Sequence, residues 1–268
     1  MTDLDALLKL AVDIAAEAGE LVRERRDAVT RMAVSATKST PTDIVTESDT
    51  AAEALIRDRL GAARPDDAVL GEEGGASAGK SGIRWVVDPI DGTVNYLYGL
   101  PQYAVSIAAQ QNDGDIVVGV VHNPVSRETW TAVRGGGAYL DGDAIHESGC
   151  ADLNLALVAT GFGYDAARRQ RQAAIVAGIL PSIRDIRRAG AASLDLCSVA
   201  TGRLDAYFER GLGPWDLAAG GLIAEEAGAV VAGLRGAAAG QDLVIDAGPA
   251  WFEPLHDLLA PLRPDQDA

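Results

Sequence analysis

The hexapeptide Asp88-Pro89-Ile90-Asp91-Gly92-Thr93 puts two carboxylates three residues apart at the end of the apolar run Trp85-Val86-Val87. Proline lacks an N–H and fixes φ, so a sharp turn is expected at Pro89. That turn would bring Asp88 and Asp91 together and aim the Ile90 carbonyl the same way. Two carboxylates and a carbonyl converging on one point repel each other unless a cation sits among them. An all-oxygen ligand set suits magnesium, which also binds substrate phosphate. Gly92 and Thr93 then offer backbone N–H groups to an anion, at the start of a short helix. This stretch alone can build half of a metal-dependent phosphate site. The simpler alternative is an Asp-rich turn that caps a strand. It weakens because more acids fall at element ends: Glu72 and Glu73 in Leu-Gly-Glu-Glu, Asp49 at a helix start, Glu209 ending Tyr-Phe-Glu, and Asp216 after a Gly-Pro turn.

A second phosphate motif lies beside the first. Gly74 to Ser81 reads GGASAGKS, which fits the nucleotide-binding pattern G-x-x-x-x-G-K-[ST]. A working loop of that kind follows a buried strand and opens into a helix whose N-terminus completes the site. Here Lys80 leads into Ser81-Gly82-Ile83-Arg84-Trp85-Val86-Val87, which is strand material. Glu72 and Glu73 just upstream would repel a polyphosphate. A surface turn is expected, with Lys80 a bystander and nucleotide hydrolysis through residues 74–81 the weaker alternative.

The elements that carry these residues follow from periodicity. Leu7, Leu10, Ile14, Ala18 and Leu21 recur at steps of three and four, predicting an amphipathic helix over Leu4–Arg26. A polar loop at 35–43 contains Lys38. A second helix is expected from Thr50 to Ala63, with Thr50 and Glu53 as its capping box and Pro65 ending it. Short β-branched and aromatic runs at 85–88, 103–111, 115–123 and 128–142 predict a mostly antiparallel sheet of consecutive strands. Beyond Asn154, strands at 155–161, 183–188 and 205–209 alternate with helices over Ala166–Leu180, Ser193–Thr201 and Asp216–Ala227, an α/β pattern. The Gly/Ala-rich stretch 230–241 reads as a surface loop, before a last strand at 242–246 and a helix over Trp251–Leu262. The fold class expected is α/β of the α+β type, a layered α/β/α/β/α sandwich. Its halves, residues 1–150 and 151–268, would form one compact catalytic unit.

A formal net charge of −16 argues against nucleic acid or anionic lipid as a partner for the bulk surface. It leaves room for a phosphorylated small molecule, because bound metal reverses the sign locally. Cys150 and Cys197 form no CxxC pair, so reduced thiols in a cytoplasmic chain are expected. The N-terminus starts acidic without a cleavage-like site, and no apolar run of about 18 residues is present, so neither a signal peptide nor a membrane span is expected.

Two longer stretches place these acids in a known context. W-V-V-D-P-I-D-G-T-V-N-Y, Trp85 to Tyr96, is similar to the first signature of the inositol monophosphatase family, W-[VI]-x-D-P-[IL]-D-G-T-x-N-[FY]. W-D-L-A-A-G-G-L-I-A-E-E-A-G-A, Trp215 to Ala229, resembles its second, W-D-x-A-x-G-x-x-[IL]-x-x-E-A-G-[GA]. The Gly-Glu-Glu element, the lysine-containing loop and T-D-I-V-T-E-S-D stand in family order, so the resemblance runs from the first helix to the last strand.

Carried over by position, the resemblance implies that Glu72, Asp88, the Ile90 carbonyl, Asp91 and Asp216 ligate two or three magnesium ions, with Asp88 bridging. Asp49 and Thr93, with Glu72, would orient and deprotonate the attacking water, and a second metal held partly by Asp216 would stabilise the departing alkoxide. Asp91, Gly92, Thr93, Gly190, Ala191, Ala192 and Glu209 would contact the substrate. Lys38 and Glu73 would belong to a loop near the metals. The activity implied is magnesium-dependent hydrolysis of a small phosphomonoester, with myo-inositol 1-phosphate the best single substrate. Lithium sensitivity and a homodimer are implied as well. Relatives with similar motifs act on fructose 1,6-bisphosphate, 3′-phosphoadenosine nucleotides or histidinol phosphate, but Glu209 and the small Gly-Ala-Ala turn favour a compact polyol over a nucleotide. A non-catalytic regulatory binding protein is the alternative from another class, and the full set of acids argues against it. The chain departs from the family at Ser193, where Ala is usual, and at His122, where many members have Tyr. Ser193 is expected to be a helix-start residue of little consequence, and His122 a strand-end residue with no catalytic part.

Overall fold

The computed structural model describes residues 3–28, 36–38, 44–111 and 114–266. Helix α1 (Leu4–Asp27) forms where the apolar stripe predicts it, burying Leu7, Ala11, Ile14, Ala15, Ala18 and Val22. Asp3 caps it by accepting from the Ala6 N–H at 3.1 Å. Most of the polar loop expected at 35–43 lies outside the described residues. Its described part, β1 (Ala36–Thr37), pairs antiparallel with β2 (Ile44–Val45).

Helix α2 (Glu47–Ala63) starts earlier than expected. The capping residues are Thr46 and Asp49, not Thr50 and Glu53. The Thr46 hydroxyl accepts from the Ser48 N–H, and the Asp49 carboxylate accepts from the Thr46 N–H at 2.8 Å. Glu53 is thereby released for another task, described below.

The first sheet comprises β3 (Ala68–Gly71), β4 (Gly75–Ala76), β5 (Ile83–Asp91), β6 (Ala104–Gln111), β7 (Ile116–His122), β8 (Thr129–Val133), β9 (Ala138–Leu140) and β10 (Asp143–Ala144). Their order is β10-β9-β8-β7-β6-β5-β3-β4, and every pairing is antiparallel except β3 with β5. The short helix α3 (Thr93–Tyr98) follows β5 directly. The sharp turn expected at Pro89 is absent. Strand β5 runs on through Asp91 with a register shift between Asp88 and Asp91 against β6. A bulge leaves ladder positions unpaired, so proline's missing N–H is tolerated there.

The second sheet has the order β12-β11-β13-β15-β14, built from β11 (Leu157–Thr160), β12 (Asp185–Arg187), β13 (Ala206–Glu209), β14 (Val230–Ala232) and β15 (Val244–Ala247). Strand β11 lies parallel to β12 and β13, while β15 runs antiparallel to β13 and β14. The stretch read as a loop from residue 230 therefore begins with an edge strand. Helices α4 (Ala166–Ile179), α5 (Ala192–Ala200), α6 (Pro214–Glu226) and α7 (Pro249–Leu259) complete the chain.

Three apolar interfaces stack these elements as helix, sheet, helix, sheet, helix. Helices α1 and α2 pack on Trp85, Val87, Val105 and Ile107 of the first sheet. The opposite face, with Val86, Ala104, Ala108 and Val121, packs on α5 and α6, which also cover Ala159, Tyr207 and Val244 of the second sheet. Helices α4 and α7 close the far side over Val158, Phe208 and Ile245. Alternation along β5 sends Trp85 and Val87 to one layer and Val86 to the other, which explains an unbroken apolar run in a strand buried on both faces. Among the described residues no helix is long and apolar enough to cross a membrane.

Candidate active site

The bulged end of β5, the turn after β3 and the first turn of α6 meet at one cavity of about 810 Å³. Asp88, Asp91 and Asp216 each bring a carboxylate oxygen to within 4.8 Å of the others. The Glu72 N–H donates to the Val87 carbonyl at 3.2 Å, which sets Glu72 beside Asp88. Asp216 is fixed as the third residue of α6, its carboxylate accepting from the Gly213 N–H at 2.6 Å. Two like charges at that 4.8 Å limit repel by about 3 kcal/mol at an effective dielectric constant of about 20. The titration behaviour follows. Burial, then the charges of Glu72, Asp91 and Asp216, pushes Asp88 well above the usual carboxylate range. Burial, then Asp91 and Glu72, does the same to Asp216. A hard divalent cation fits this donor set: oxygen ligands only, several of them anionic and with few other partners.

Beside the acids, Gly92 adopts φ 88°, a left-handed conformation that glycine takes without strain, and starts α3. The Thr93 hydroxyl stands 3.0 Å from Asp49 Oδ1 and 3.1 Å from the Ile90 carbonyl, donating to either. Asp49 is 0% exposed and reaches the cavity only through Thr93. Lys38 bridges two glutamates, its Nζ 2.6 Å from Glu72 and 2.7 Å from Glu73. Burial pulls the ammonium down, but the two glutamates outweigh it and hold it above its ordinary value. Glu53 accepts from the Glu73 and Gly74 N–H groups at 2.7 and 2.8 Å, and so fixes the turn that carries Glu72.

At the other wall, Asp91 accepts from the Ala192 N–H at 3.2 Å, the Ser193 N–H at 2.7 Å and the Ser193 hydroxyl. Ser193 is thus a direct partner of Asp91, which corrects the expectation that it matters little. Burial raises Asp91 to about 6, against the pull of these donors. Gly190 and Ala192 line the cavity, whereas Ala191 is 1% exposed and faces the core behind them. Glu209 also lines it, accepting from the Tyr207 hydroxyl at 2.6 Å. Burial lifts Glu209 to about 7, with Tyr207 and Arg188 pulling the other way.

Several lining residues carry no motif, among them Phe162, Arg168, Arg188, Arg210 and Gln241. Arg188 and Arg210 sit two residues from Gly190 and one from Glu209, and that adjacency was the only signal available. Gln241 shows that the loop before β15 borders the cavity. Lys80 does not: it is exposed, and its string runs from β4 into β5 with no helix N-terminus. His122 is half-buried away from the cavity, its Nδ1 2.9 Å from the Thr129 hydroxyl.

The chain is similar to known proteins along most of its length. A profile of the inositol monophosphatase family matches residues 3–264. The chain is 46% identical to inositol-1-monophosphatase SuhB of Mycobacterium tuberculosis, over 96% of this chain and 93% of that protein. It is 40% identical to the Nus factor SuhB of Escherichia coli, over 86% of each. The solved inositol monophosphatase of Anabaena superposes with a TM-score of 0.86 at 30% identity, covering 98% of both chains. The chain belongs to the inositol monophosphatase family.

Proposed function

We propose that this protein is a magnesium-dependent phosphomonoesterase that hydrolyses myo-inositol 1-phosphate, or a similar phosphorylated polyol, to the polyol and phosphate. The observation that carries the proposal is the convergence of Asp88, Asp91 and Asp216 at a cavity that also holds Glu209. Glu72, Asp88, the Ile90 carbonyl, Asp91 and Asp216 would hold two or three ions. When bound, magnesium supplies charge neutralisation at the phosphoryl group and makes water acidic enough to attack at neutral pH.

The chain's own groups do the rest. The Thr93 hydroxyl donates its hydrogen bond to Asp49 or to the Ile90 carbonyl, so the Thr93 oxygen turns its lone pairs toward the attacking water, and Glu72 receives the water's proton. The Gly92 and Thr93 amides face the transferring phosphoryl oxygens. The Glu209 carboxylate accepts from neighbouring hydroxyls, which discriminates against analogues lacking them. Lys38 and Glu73 hold Glu72 in place. Residues 1–150 and 151–268 act as one catalytic unit, since the former supply Glu72, Asp88 and Asp91 and the latter Glu209 and Asp216. Lithium inhibition and a homodimer belong to the same proposal. The name of the Escherichia coli relative favours a second reading, a partner-binding role beside catalysis.

Phosphate release from inositol, sugar, nucleotide and histidinol phosphates, with and without magnesium, tests the proposal. Magnesium-dependent release, fastest from a polyol phosphate, is expected. No release from any of them by folded protein would overturn it.

A further inference from the structure

Asp91 is held differently from the other acids at the centre of the site. Its Oδ1 accepts from the Ala192 N–H at 3.2 Å. Its Oδ2 accepts from the Ser193 N–H at 2.7 Å and from the Ser193 hydroxyl as well. Asp88 has one N–H donor, that of Ile90 on Oδ1, and Asp216 has one, that of Gly213 on Oδ2.

The fold dictates the difference. Helix α5 begins at Ala192, and its N-cap, Ala191, has no side-chain oxygen to take up the first amides. Asp91, 101 residues away in sequence from Ala192, takes them instead. Ser193 is the second residue of α5, so the helix has no carbonyl four residues behind it for the hydroxyl to reach. Its side chain is also buried away from water, at 0% exposure, and the hydroxyl turns to Asp91.

A carboxylate offers about four lone-pair sites, shared equally between its oxygens. At Asp91 the Ser193 amide and hydroxyl fill both sites on Oδ2, and the Ala192 amide takes one on Oδ1. Asp91 therefore presents a cation with a single oxygen, whereas Asp88 and Asp216 keep a free lone pair on each of theirs. That asymmetry bears on which ion fits. Magnesium demands a near-ideal octahedron at short distance. Calcium accepts about six to eight oxygens, both oxygens of one carboxylate among them.

We propose that Ser193 is a positioning residue that ties up Asp91 Oδ2, limits Asp91 to one oxygen toward the bound cation, and so favours magnesium over calcium at this centre. The inference rests on the hydrolase reading above and names a determinant of its metal preference.

Titration calorimetry of chelator-treated protein with magnesium and with calcium tests it in the native chain, Ser193→Ala and Ser193→Cys. Alanine removes the hydroxyl, while cysteine keeps a similar shape but donates only weakly. In both variants the ratio of calcium to magnesium affinity is expected to rise about three- to tenfold, because the freed Oδ2 serves calcium. Calcium is expected to inhibit magnesium-dependent phosphate release at correspondingly lower concentration, with thermal unfolding as the check on folding. A purely structural role would weaken both ions alike and leave the ratio unchanged, which would overturn the proposal. A rise in Ser193→Ala but not in Ser193→Cys would trace the effect to side-chain volume and overturn it too. Either result leaves the hydrolase reading standing where the native chain releases phosphate with magnesium. Folded native protein that binds neither ion and releases no phosphate would overturn both.

Discussion

A buried carboxylate needs a group to hold its charge, and the acids of this site differ in what they have. Asp91 has two amides and the Ser193 hydroxyl, and Asp216 has the Gly213 amide. Asp49 has Thr46 and Thr93, and Glu209 has Tyr207. Asp88 has the Ile90 amide at 3.0 Å and is otherwise ringed by acids, which makes it the group most in need of a cation. Tyr207→Phe isolates one of these arrangements. Removing a donor that lowers Glu209 moves that carboxyl further above about 7, so less of the accepting carboxylate remains at neutral pH. KM for a polyol phosphate near pH 7 is expected to rise about three- to tenfold, more than kcat changes, and its pH dependence to move to higher pH. A KM profile identical to the native one would contradict this. The acids themselves were legible because they fall at element ends beside Gly and Pro. Their partners were not: Ser193 lies 102 residues from Asp91, and no local pattern marks such a contact.

Elements aim these residues, and two departures at this scale share a cause. Thr46-x-x-Asp49 and Thr50-x-x-Glu53 both fit a capping pattern in sequence, and tertiary burial of Asp49 chose the first. Pro89 signals a turn locally, yet pairing with β6 on both sides of the bulge keeps the strand running. Strand β14 was hidden by its Gly/Ala-rich surroundings because β15 supplies its pairing. The helices and the consecutive strands were legible because their periodicity spans many residues. Glu53, freed from capping, ties α2 to the turn bearing Glu72 and also accepts from Arg57 Nε at 2.6 Å. Glu53→Gln keeps the shape but removes the charge and puts an NH₂ against donors. It is expected to cost about 2 kcal/mol in chemical denaturation and to weaken magnesium binding measured by titration calorimetry. Unchanged magnesium affinity would show that the Glu72 turn does not depend on α2.

The whole molecule carries its net charge of −16 with several acids buried together. Asp91 titrates near 6 rather than 3.8, and Glu209 near 7 rather than 4.5, so between those values the folded chain binds more protons than the unfolded one. Stability of the metal-free protein must then fall as pH rises through that window. The Tm of chelator-treated protein is expected to drop between about pH 5 and about pH 7.5, and magnesium to raise Tm more at the higher pH, where the carboxylates are free to bind it. A metal-free Tm that rises across this range would contradict the linkage. The central claim is that the acids flanking residues 74–81 carry the chemistry while the lysine among them does not. Magnesium-dependent phosphate release from myo-inositol 1-phosphate by Asp88→Asn and by Lys80→Ala tests it most directly. Asp88→Asn is expected to lower kcat/KM at least about a thousandfold, and Lys80→Ala to leave it near the native value. Near-native activity in Asp88→Asn, or its loss in Lys80→Ala, would contradict the account.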